Sequence, residues 1–75
     1  MQPTVGRIVH CCPLKHEPEE GPPHTMAAIV CGVFPERDAI AVHYFLPDGA
    51  NGSCEMPLEA ANRPEAGRWW WPPRA

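Results

Sequence analysis

Three consecutive tryptophans, Trp69-Trp70-Trp71, follow Arg68 near the end of this 75-residue chain. An extended backbone sends Trp69 and Trp71 to one face and Trp70 to the other. At least one large indole must then meet a surface, an interface or a ligand. An aromatic base stacked on an indole gains on the order of 1–3 kcal/mol, and a neighbouring guanidinium such as Arg68 suits an aromatic anion. The competing role is structural: one indole plugs a small core and another covers an edge or a subunit contact. Arg7 is a second candidate for phosphate charge, and His10, His43 and Tyr44 complete the set of candidate ligand-binding side chains with Arg68, Trp69, Trp70 and Trp71.

The four cysteines and four histidines raise two other chemistries. His10, Cys11, Cys12, His16, His24, Cys31, His43 and Cys54 are numerous for the length, yet no Cys-x-x-Cys and no His-x₃-His pair of the finger type occurs. A metal site is not expected, and neither is any other cofactor. Catalysis finds little support either, because no Gly-x-Ser-x-Gly elbow and no phosphate-binding loop is present. The chain reads as a binding protein, not an enzyme.

Composition narrows the partners. A formal charge of −3 argues against binding to DNA or RNA polymers, which need a basic stripe. It leaves room for a small anionic ligand held by one or two arginines. Met1-Gln-Pro-Thr4 has neither the basic start nor the apolar stretch of a secretory signal, so reduced cysteines in a cytosol are expected. No run is long enough to suggest a membrane span.

The elements that must position these residues are short strands. Eleven prolines nearly exclude a long helix. Met26–Phe34 and Ala39–Leu46 are apolar runs rich in β-branched and aromatic residues, separated by Pro35-Glu-Arg-Asp38, which predicts a hairpin. A first strand is expected over residues 4–11, closed by Cys12-Pro13, with Arg7 and His10 on opposite faces and the inward face undecided. Residues 13–25 read as an acidic, Pro-rich surface loop. Pro47-Asp-Gly-Ala-Asn-Gly52 is a strong turn signal, and a short strand should return over Ser53–Met56. Leu58–Asn62 could form one helical turn. Gly67 restarts an extended segment, Arg68–Trp71, that Pro72-Pro73 stops, leaving 72–75 as a tail. About five strands without a substantial helix predict a single all-β domain, a small SH3-like or related five-stranded barrel. Ile29, Cys31, Ile40, Val42 and Tyr44 are the expected core. Both hairpin strands are apolar on two faces, which suggests cover by a partner subunit and an oligomer. A site is then expected at the hairpin margin, where His43 or Tyr44 meets Arg68 to Trp71.

Three pieces in order, Pro3-Thr-Val-Gly-Arg-Ile-Val-His10, Ala27-Ala-Ile-Val30 and Gly67-Arg-Trp-Trp-Trp-Pro72, resemble a family of small proteins encoded by bacteriophages and prophages. Its members look like Gly-Arg-Ile-Val-His-Tyr, Ala-Ala-Ile-Val, a Pro-(Asp/Asn)-Gly turn and Gly-Thr-Trp-His-Trp-Pro. The chain departs at Cys11, where the family tends to have tyrosine, and at Trp70, where it tends to have histidine. The resemblance implies a phage origin and action in the cytoplasm of an infected bacterium. It suggests sequestration of a nucleotide-derived host immune signal without cleavage. The alternatives are a module that inhibits a host protein through the tryptophan strand, or a minor structural or regulatory phage protein.

Overall fold

A computed structural model describes residues 2–73. Five strands form one antiparallel sheet: β1 (Ile8–Cys12), β2 (Met26–Phe34), β3 (Ala39–Phe45), β4 (Asn51–Pro57) and β5 (Arg68–Trp70). Their order across the sheet is β4-β3-β2-β1-β5. The sheet curls into a half-barrel, so the chain is the all-β, single small domain that its pattern predicts.

The hairpin forms where the two apolar runs predict it. Pro35–Arg37 makes one 3₁₀ turn, and Asp38 leaves it in the left-handed region at φ 54°. An aspartate accepts that conformation more readily than most side chains. The Asn51–Pro57 strand begins two residues earlier than the sequence suggests. Residues 58–62 are not helical but run as bends and open chain.

The first strand is shorter than its β-branched run implies. Thr4 to Arg7 is a tight turn in which Arg7 N–H donates to Thr4 O at 3.1 Å. Gly6 stands third in it at φ 93°, a position that glycine fills without strain. Past the turn the chain joins β2: Gly6 N–H donates to Val30 O and Val30 N–H to Arg7 O.

The interior holds Val9, Cys11, Met26, Ala28, Val30, Ile40, Val42, Tyr44, Met56 and Trp69. Val9 and Cys11 therefore mark the inward face of β1. Ile40, Val42 and Tyr44 are core residues as expected, but Ile29 and Cys31 are not: Ile29 is 38% exposed and Cys31 is exposed. The alternate set, Met26, Ala28 and Val30, points inward instead. An irregularity between Val30 and Gly32 slips the β2–β3 register by one residue. That bulge returns Val33 to the core side, although unbroken alternation would put it on the outward side with Ile29.

Trp69 closes the curl. It is fully buried, and its indole N–H donates to the carbonyl of Pro57, the last residue of β4, at 2.9 Å. The two edge strands are thereby joined across the interior. The chain after β4 also reaches β5 directly, with Ala61 N–H donating to Trp69 O at 2.8 Å. Replacing Trp69 with Phe keeps a large ring but removes the donor and strands the Pro57 carbonyl. The expected loss is about 1–3 kcal/mol or more in urea unfolding, since the indole volume is lost as well.

Candidate functional site

The eight candidate residues separate into three groups, with Arg68 standing apart from all of them. Trp69 and Tyr44 belong to the core. The Tyr44 ring lies over Gly52 in β4, where an added Cβ would stand 2.6 Å from its hydroxyl oxygen, and it meets the edge of His16 at 5.4 Å. Both aromatics shape the interior and present almost no surface.

His10, His43 and Trp70 lie on the opposite, outward side of the sheet. His10 pairs with Trp70 across β1 and β5, and His43 packs edge-on against Phe45 at 5.2 Å. Trp70 is only 6% exposed, so it is no projecting anchor for a partner protein. His43 lies three strands from Trp70 in the sheet order, about 14 Å at the usual strand spacing. The expected meeting of His43 or Tyr44 with an open Arg68–Trp71 surface therefore does not occur. Tyr44 joins Trp69 only inside the core, and His43 is held apart by β2 and β1.

The two arginines are also apart. Arg68 pairs with Cys12 at one end of β1, while Arg7 precedes Ile8 at the other, about 17 Å away along the strand. Arg68 serves the segment between β4 and β5: its Nη2 donates to Glu59 O at 2.9 Å and its Nη1 lies 3.8 Å from Glu65. Its Nε is buried without a hydrogen-bond partner among the described residues.

The third group is Arg7 and Trp71. The guanidinium of Arg7 stands over the Trp71 ring, 5.3 Å from its centroid. Trp71 meets Trp69 edge to face at 5.1 Å and 82°. Its ring is thereby fixed from two sides while it remains half-buried. Trp71 and Trp69 help line a cleft of about 450 Å³, with Asp38, Leu58, Glu59 and Asn62 on its other walls. This volume falls in the range of small-molecule sites. Two connections are tied together in its wall: Leu58 N–H donates to the carbonyl of Asp38 at 3.0 Å. Asp38 and Glu59 bring two carboxylates to its walls, and Arg7 is linked to it through Trp71. Asp38 and Glu59 carried no signal in the sequence, because they join Trp71 only through the β4-to-β5 segment.

A second, smaller cleft of about 240 Å³ lies between the start of the β1–β2 loop and β3–β4, lined by Pro13, Leu14, Tyr44, Cys54, Met56 and others. All four cysteines are free thiols. Burial pushes the Cys11 thiol up to about 12, with Cys54 and Cys12 adding to the rise. Burial also raises Cys12, against a backbone hydrogen bond from His24, and raises Cys54. None of these three is the depressed-pKa thiolate that nucleophilic chemistry favours. Among the described residues, no three His, Cys, Asp or Glu side chains converge as a metal site would need.

No family model, no curated protein and no solved structure matches this chain.

The raised thiols set an alkaline limit on the fold. The folded state keeps Cys11 protonated while the unfolded state ionises near 9. Above that pH the unfolded chain binds fewer protons, so stability falls as pH rises, until the folded thiol itself titrates near 12. Thermal unfolding followed from pH 8 to 11 should show a Tm that declines above pH 9. The decline should be shallower in Cys11→Ala, measured against that variant's own lower starting Tm.

Proposed function

We propose that this chain is a phage-encoded binding protein that sequesters a nucleotide-derived host immune signal, without cleaving it, in the cytoplasm of the infected bacterium. The three ordered sequence pieces that resemble the phage family support the setting. The observation that carries the ligand class is the Arg7–Trp71 pair, whose indole lines the cleft. A base entering the cleft would stack on Trp71, and Asp38 and Glu59 would accept hydrogen bonds from its exocyclic amine or from ribose hydroxyls. A phosphate at the mouth would meet the guanidinium of Arg7. The reading needs no metal and no cofactor. It is a capture function: the three perturbed thiols are held protonated, and His10 and His43 lie on the outward face away from this cleft. An oligomer is part of the proposal, because a chain this short gains stability and avidity from association.

Equilibrium capture tests it. Purified protein is incubated with cyclic dinucleotides and ADP-ribose-type signals, removed by filtration, and the free signal is assayed. Depletion of at least one signal is the expected result, and heating the retained protein should release it chemically intact. Full recovery of every signal in the filtrate overturns the reading, and release of a hydrolysed product replaces capture with catalysis. Trp71→Ala should weaken capture roughly ten- to hundred-fold, the cost of one lost stack. Arg68→Ala should leave the affinity of the folded protein within a few-fold.

A further inference from the structure

The outward face of the sheet carries two rows of side chains whose pattern fits a second copy of itself. Registration across the five strands aligns His10, Ala27, Phe45 and Asn51 in one row, which the nearly buried Trp70 ends at β5. The next row aligns Ile8, Ile29, His43 and Ser53. Not one of these nine residues is Asp, Glu, Lys or Arg, in a chain that has fifteen such residues. Ile8 is 63% exposed, Phe45 42% and Ile29 38%. Adjacent exposed apolar side chains of this kind mark interaction surfaces more often than scattered ones do.

We infer that this face is a two-fold self-association surface in which Ile29 of each copy seats on Ala27 of the other. The central strand β2 presents a small residue, Ala27, and a large one, Ile29, two positions apart on the same side. A two-fold axis lying between the faces, across the strands and level with Ala28, lays each row on the other row of the second copy. Ile29 then fills the dip at the partner's Ala27, which His10 and Phe45 flank on the neighbouring strands. The same operation sets His10 over the partner's Ile8, Phe45 over the partner's His43 and Asn51 over the partner's Ser53. Bumps meet hollows, aromatic meets imidazole and polar meets polar. The alternative axis, along the strands, would set Ile29 on the partner's Ile29 and leave facing hollows at Ala27.

Charge argues for the same occupant. In an isologous contact every group meets the partner's copy of that same surface. A chain with net charge −3 lowers self-repulsion there by keeping formal charge out of the contact. Area sets the strength. The two rows cover at most five strands in width and two residue pairs in length, a patch of roughly 300 Å² at the usual strand dimensions, below the ~800 Å² that each partner gives to a standard interface. The dimer is therefore weak and concentration-dependent. This inference does not rest on the ligand reading, because the cleft at Trp71 and the two rows are separate surfaces.

Sedimentation over a wide concentration range, in reductant to keep Cys31 free, tests it. The wild type should pass from monomer to dimer as concentration rises. Nuclear magnetic resonance shifts of the unaltered protein should move with concentration at Ile8, Ile29, His43 and Phe45, and not around the cleft. Ala27→Ile should weaken the dimer about tenfold, although it adds apolar surface, because bump then meets bump. Ile29→Ala should weaken it likewise. The double variant Ala27→Ile, Ile29→Ala moves the bump and the hollow together and should restore association to within about threefold of wild type. A wild type that stays monomeric with unmoved shifts overturns the inference. Tighter association in Ala27→Ile overturns the proposed pairing.

Discussion

A single indole holds the curl of this sheet. Trp69 fills the interior at the edge strand β5, and its N–H reaches the carbonyl that ends β4 at the far edge. A five-stranded sheet in a chain of 75 residues has only a small core with which to hold its curl. Here one side chain contributes both the volume and the polar link between edges. Its own carbonyl takes the Ala61 N–H, so the segment that crosses from β4 to β5 is anchored to the same residue. The cleft follows from this: Trp71 is aimed by its edge contact with Trp69, and the opposite wall is the anchored segment.

Much of that fold is legible in the residues. The hairpin can be read nearly to the residue, because two β-branched runs flank a turn whose proline and aspartate suit its two unusual conformations. The tryptophan strand is equally plain, bounded by Gly67 and Pro72-Pro73. What alternation could not give is the inward side of β2. Met26-Ala-Ala-Ile-Val-Cys is apolar at every position, so a period of two carries no polarity signal. The bulge after Val30 then reverses the parity within the strand. Only the neighbours decide, and β1 decides it by turning Val9 and Cys11 inward.

For the candidate site, the sequence shows residue types but not their grouping. An arginine and an indole do meet, but the arginine is Arg7 and not the adjacent Arg68. Antiparallel pairing runs β5 backward along β1, so Trp71 moves toward the start of β1 while Arg68 stays at its end. Sequence neighbours in an antiparallel edge strand thus serve different ends of the sheet. The carboxylates of the cleft come from a turn and a crossing segment that share one backbone hydrogen bond, which no spacing rule anticipates. The outward face was expected to need cover, since both sides of the hairpin are apolar. The rows of Ile8, Ile29 and Phe45 give that expectation a specific surface.

The tie between Ala61 and Trp69 has a consequence for assembly. Sheets that grow by adding strands need a donor edge and an acceptor edge, and a head-to-tail fibre needs both on every molecule. At the β5 edge the Trp69 carbonyl is already spoken for within the chain. At the β4 edge the strand ends in Pro57, which has no N–H to offer. Each rim thus withholds one hydrogen-bonding group from a neighbouring strand, the Trp69 carbonyl through its own backbone and position 57 through its proline.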